Sequence, residues 1–217
     1  MTLPDNVFLT QHPIARVLLS ELRDEQTTPA RFRDAVKRLG RFVAADATAR
    51  LPLRSFPIVT GTKESTNGYA VESNVAIAPV LRAGLGLVDP FLELLPDALI
   101  WHVGMGRNEE TLLPRLYLNA VPKTMPFPAD LGIVYVLDTM LATGGSASAV
   151  LDLVKASGAK NIAFVGLLAA PEGVARLHAD HPDVPIHLAA IDDRLGHRGY
   201  ILPGLGDAGD RQFGAPA

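Results

Sequence analysis

The sequence contains no cysteine. Disulfides, thiol nucleophiles and cysteine-ligated metals are thereby excluded. No apolar run is long enough to span a bilayer. The first eleven residues lack the basic start and apolar centre of a secretory signal. The expectation is a soluble cytoplasmic protein. A basic excess is also missing: the net charge is −3. That balance argues against a protein held mainly on nucleic acid or an acidic membrane. No lysine follows Gly144 and Gly145, so there is no Walker loop, and the pair lacks the GxGxxG spacing. Nothing resembles a Ser-His-Asp elbow. Asp207 and Asp210 lack the rest of a calcium loop.

What is present is a large apolar content. The chain has 217 residues, 48% of them hydrophobic, enough to bury a substantial core in a single domain, 1–217. Residues 1–72 read as two helices and a hairpin. Ile14, Val17, Leu18 and Leu22 make one helical stripe, and Thr28-Pro29 reads as an N-cap with proline at the first helical position. Residues 56–71 read as the hairpin. Residues 73–191 alternate strand and helix: strands over 75–81, 98–103, 132–137, 161–168 and 186–191, with helices over 86–95, after residue 146, and over 171–179. Such alternation predicts an α/β fold with a parallel sheet flanked by helices. Residues 192–217 are glycine-rich and without periodicity, as functional or irregular segments are. His178 and His181 read as surface histidines.

The most informative stretch is 134–146 (VYVLDTMLATGGS). An apolar strand ends in Asp138, a loop of small residues follows, and helix spacing resumes at Ala147, Val150, Leu151 and Val154. Glycines let the backbone approach a ligand, and a helix N-terminus presents free N–H groups to an anion. The loop alone is equally an ordinary strand-to-helix turn. Asp138 beside it favours a sugar phosphate, with the carboxylate at the sheet edge where α/β folds bind ligands. Arg82, in the segment 81–86 (LRAGLG), offers a planar fork for phosphate oxygens or is a surface arginine after a turn. Arg107 sits in a charged loop or hairpin, 104–111, that can fold over an anion or be a plain hairpin tip. The glycines around Ile201 and Asp207 expose main-chain groups to which a flat base can bond.

Together these segments resemble the uracil phosphoribosyltransferase family, over nearly the whole chain from His12 to Gly214. The resemblance is carried by 81–86 (LRAGLG), 104–111 (GMGRNEET), 140–146 (MLATGGS), 169–173 (AAPEG) and 199–213 (GYILPGLGDAGDRQF). It implies a phosphoribosyltransferase core with N-terminal helices, a β-hairpin arm and a C-terminal base-binding hood (192–217). It implies transfer from 5-phospho-α-D-ribose 1-diphosphate (PRPP) to uracil, giving UMP and diphosphate, with Mg²⁺ held mainly through PRPP and not directly by protein ligands. Asp138, Arg107 and Asp207 would be catalytic. PRPP would be bound by Arg82, Arg107, Asp138, Thr139, Met140, Leu141, Ala142, Thr143, Gly144, Gly145, Ser146 and Asp207. Ile201, Gly206, Asp207 and Ala208 would surround uracil. A homodimer or homotetramer is implied, and some members respond to GTP as an effector. The chain departs from the family pattern at Thr139 (usually proline), Gly106 (often aromatic) and Ala120 (near the usual lysine). Two competing readings are an enzyme of this class acting on another base, and a non-catalytic nucleotide sensor that binds RNA.

Overall fold

The computed structural model describes residues 3–107, 114–123, 131–197 and 199–215. The chain opens with strand β1 (Val7–Leu9) and helices α1 (Pro13–Arg23) and α2 (Pro29–Thr48). Both helices carry proline in the first turn, where its missing N–H costs nothing. His12 caps α1 and Thr28 caps α2 through their side chains. The hairpin β2 (Leu53–Val59) and β3 (Ser65–Val71) stands apart from the main sheet. The core then runs β4 (Asn74–Leu81), a 3₁₀ turn (Ala83–Leu87), α3 (Val88–Leu94), β5 (Leu99–Ile100), β6 (Val103–Arg107), β7 (Pro114–Asn119), β8 (Leu131–Leu137), β9 (Met140–Leu141), α4 (Gly145–Ala156), β10 (Ile162–Ala169), α5 (Pro171–Asp180) and β11 (Ile186–Ile191). The tail adds β12 (Arg194–Leu195), β13 (Ile201–Leu202) and α6 (Ala208–Phe213).

Among the described residues the main sheet runs β1-β11-β10-β8-β4-β6-β7, with β5 against β4 and β9 against β10. Every pairing in it is parallel except β6 with β7. Parallel strands are covered on both faces and read as continuous apolar runs. All eight residues of β10 are buried. Alternation divides the core into two layers. Tyr135 and Leu137 of β8 pack with Phe32, Leu39 and Phe91 on the α1–α2–α3 side. Val134 and Val136 pack with Val150, Leu151 and Val174 on the α4–α5 side. No helix among the described residues is long and apolar enough to cross a membrane.

Three segments differ from the sequence reading. The single strand over 98–103 is two strands. Leu99 and Ile100 pair low on β4, at Ala76 and Ile77, while Val103 pairs high, at Val80. Trp101 donates its N–H to Ile77 between them. The helix over 86–95 begins as the 3₁₀ turn, and Pro90 falls in the first turn of α3. The glycine-rich tail is ordered as a short hairpin and a capped helix. Its order comes from long-range polar contacts that leave no periodic trace.

Those contacts fasten the tail to α1. Arg23 grips buried Asp192 at 2.8 and 2.5 Å and donates to the Gly204 carbonyl at 2.8 Å. Asp192 also accepts the Gly204 N–H at 2.7 Å. Arg211 donates to the carbonyls of Leu22, Leu205 and Asp24, with its guanidinium over the Phe32 ring. Removing one partner of a buried pair strands the other. Asp192→Ala is expected to lower stability by about 3–5 kcal/mol, read as a lower urea midpoint.

Candidate functional site

The carboxyl ends of β4 and β8, the arm β6–β7, the loop before α4 and the tail enclose a cleft of about 660 Å³. Asp138 lies on its floor. The parallel register puts Leu137 between Pro79 of β4 and Val165 of β10, so the next residue emerges at the sheet edge. The Asp138 N–H is held by the Val165 carbonyl at 3.1 Å, and Oδ1 accepts the Met140 N–H at 3.3 Å. Loss of water at this depth pushes the carboxyl up to about 7. Hydrogen bonds from the Met140 and Thr139 N–H groups oppose that rise, and the neighbouring Asp207 adds to it.

The loop beyond Asp138 is shaped by two glycines. Gly144 caps α4 with φ of +78°, the left-handed region that side chains disfavour. Gly173, in the first turn of α5, presses against the loop from behind. A Cβ there would lie 2.3 Å from the Ala142 oxygen and 2.5 Å from that of Leu141. Any side chain at 173 would therefore displace the cradle. Met140, Ala142 and Ser146 face the cleft. Leu141 is buried behind them, and Thr143 accepts the Gly145 N–H at 3.4 Å.

Thr139 turns the other way and does not line the cleft. Its side chain is buried at 1% exposure, and its Oγ1 has no partner among the described residues. Its carbonyl accepts the N–H groups of Leu167 and Leu168. Its backbone N–H, by contrast, is directed at the Asp138 carboxyl.

Arg82 lines the cleft where β4 ends. It pairs with Asp210 at 2.6 Å and donates to the Gly214 carbonyl at 3.1 Å. Asp207 caps α6 by accepting the Asp210 N–H at 2.9 Å. Ile201, Gly206, Asp207 and Ala208 also line the cleft. The structure thus brings Arg82, Asp138, Met140, Ala142, Ser146 and the tail residues into one cleft, while Leu141, Thr143, Gly144 and Gly145 stand behind its lining. Arg107 ends β6, but its side chain lies outside the described residues, as do residues 108–113. From the arm, Met105 and Tyr117 also face the cleft. Sequence reading missed both, because a strand pattern does not tell which face meets a ligand. His181, read as a surface residue, is buried beside Ser148 Oγ at 3.2 Å.

The raised Asp138 carboxyl has a sign. A folded value near 7, above the ordinary 3.8, means the folded chain holds the proton more tightly. Stability is therefore lost as pH rises from about 4 through 7. Asp138→Asn abolishes that loss. The variant's stability relative to the parent should improve by about 2 kcal/mol between pH 5 and pH 8, measured by urea unfolding at both.

A cleft with a deep carboxylate, a loop at a helix N-terminus and a paired arginine suits a phosphorylated sugar. The comparisons agree with that chemistry. The family model described as uracil phosphoribosyltransferase matches residues 9–215. A uracil phosphoribosyltransferase of Roseiflexus sp. (strain RS-1) is 50% identical over 96% of this chain and 98% of its own. One from Thermoanaerobacter sp. (strain X514) is 44% identical over 96% and 98%. Among solved structures, the AQ2163 protein from Aquifex aeolicus superposes with a TM-score of 0.88 at 31% identity, covering 96% of this chain and 98% of that one. An adenine phosphoribosyl transferase from Trypanosoma brucei, at 14% identity and a TM-score of 0.54, covers 88% and 85% and shares the fold. The chain belongs to the uracil phosphoribosyltransferase family.

Proposed function

We propose that this chain transfers the phosphoribosyl group of PRPP to uracil, giving UMP and diphosphate for pyrimidine salvage. The observation that carries this reading is the meeting of three parts in one cleft: the cradle with Asp138, Arg82 at the end of β4, and the tail hood. Family membership supports the same reading.

In this reading the N–H groups of the 140–146 loop take the 5-phosphate, helped by the field of α4. Asp138 accepts hydrogen bonds from the ribose hydroxyls in its ionised form. Arg82, aimed by Asp210, takes the diphosphate, and Arg107 reaches it from the arm. Ile201 and residues 206–208 enclose uracil. The C1–oxygen bond to diphosphate breaks as the bond from C1 to the uracil nitrogen forms. The proton on that nitrogen leaves to diphosphate or water. Positive character at C1 needs charge stabilisation around it more than a strong base.

Magnesium fits this donor set as a companion of PRPP. The cleft carboxylates are Asp138, Asp207 and Asp210, the last already paired with Arg82. When bound, the ion neutralises charge on the departing diphosphate.

We further propose a homo-oligomer formed through the β2–β3 hairpin. Every residue of β2 is exposed, and Leu53, Val59 and Tyr69 are 58%, 69% and 66% accessible. A lone two-stranded hairpin is marginal in water, so apolar cover from a second copy is expected. Val59→Lys together with Tyr69→Lys should shift the mass seen by light scattering toward the monomer. An unchanged mass would move the interface elsewhere.

The direct test mixes protein, magnesium, uracil and PRPP and looks for UMP. Asp138→Asn should reduce kcat/KM for PRPP roughly 100-fold. In the parent, PRPP affinity should rise between pH 6 and pH 8 as Asp138 ionises, and the variant should lack that rise. Turnover unchanged in the variant would remove Asp138 from the site.

A further inference from the structure

The arm carries one more side chain that the cleft has shaped. In the ladder between β6 and β7, Gly104 pairs with Leu118 and Met105 with Leu116. Tyr117 lies between those partners and pairs with neither. It is the extra residue of a β-bulge, a device that re-aims a side chain and is common beside active sites. The partner strand makes room for it. A Cβ on Gly104 would fall 2.3, 2.6 and 2.7 Å from three atoms of the Tyr117 ring, and one on Gly106 would lie 3.9 Å away. The ring therefore lies against bare backbone that only glycine at 104 permits. Tyr117 is 57% exposed and lines the cleft. An aromatic ring held out in this way has contact area and a hydroxyl to offer a ligand.

Its position selects the part of the ligand. Gly104, beneath the ring, pairs with Leu81 of β4. Leu81 directly precedes Arg82, so the ring stands one strand away from the arginine that lines the cleft. We propose that Tyr117 is a substrate-contacting residue for the diphosphate end of the phosphoribosyl donor, its hydroxyl donating to a diphosphate oxygen beside Arg82. The proposal rests on the phosphoribosyl-transfer reading above. The bulge and Gly104 position the ring, and Tyr117 sets donor affinity more than base affinity.

The experiment compares the parent with Tyr117→Phe, Tyr117→Ala and Gly104→Ala. Steady-state rates are taken with each substrate varied, and calorimetry follows binding of inorganic diphosphate with magnesium. Losing a hydrogen bond to a charged group should raise the KM for PRPP roughly 10-fold in Tyr117→Phe and weaken diphosphate to a similar degree. The KM for uracil and the melting temperature should stay near parental values. Gly104→Ala, which displaces the ring, should reproduce the donor defect and add nothing in the Tyr117→Ala background. Parental donor KM and diphosphate affinity in Tyr117→Phe would overturn the proposal. So would a defect confined to uracil, or a Gly104→Ala effect equal in both backgrounds. If the parent makes no UMP yet binds diphosphate through Tyr117, the transfer reading fails while the contact stands.

Discussion

Strands β4, β8 and β10 run parallel with Ile77 and Ala163 on either side of Tyr135, so their carboxyl ends arrive at one edge together. Asp138 and Arg82 owe their meeting to that register. A slip of one residue in β8 would turn Tyr135 and Leu137 onto the α4–α5 side and bury Val134 and Val136 on the other. The two core layers are differently shaped, with Phe32, Leu39 and Phe91 facing one side and Val150, Leu151 and Val174 the other. Packing on both faces therefore fixes the register, and the register fixes the floor of the cleft. A carboxylate held there keeps its proton up to about pH 7. The energy of desolvating it is supplied by the packing of the sheet.

The hood is made differently. It has little apolar periodicity, and its position depends on the paired Arg23 and Asp192 and on Arg211 reaching back to α1. Two kinds of physics thus meet in one site. Hydrophobic burial sets the Asp138 side of the cleft to within a strand's register. Directional polar contacts set the side formed by the tail.

That division explains what was legible in the sequence. Strands buried on both faces announce themselves as unbroken apolar runs, and the expected 186–191 coincides with β11 while 161–168 differs from β10 by one residue at each end. The proline-led helix at 171 and the hairpin were equally visible, because proline and polar turns punctuate the chain locally. The break between β5 and β6 was not, since it reflects two pairing levels on a distant strand. β1 is too short to show a pattern. Asp138, Ser146 and Gly206, singled out by local chemistry, all line the cleft. The burial of the Thr139 side chain, among neighbours that line the cleft, could not be read from the loop's composition. Tyr117 was overlooked because a bulge is a relation between two strands. Nothing local marks out Asp192, and only its partner 169 positions away gives it weight.

The fastening of the tail to α1 has a consequence for how the protein comes into being. Leu22 and Asp24 leave the ribosome nearly two hundred residues before Arg211, which grips their carbonyls. Those two carbonyls therefore wait for Arg211 until nearly the whole described chain has been made. The cleft wall that Asp207 and Asp210 form is thus fastened by the last-made of these partners.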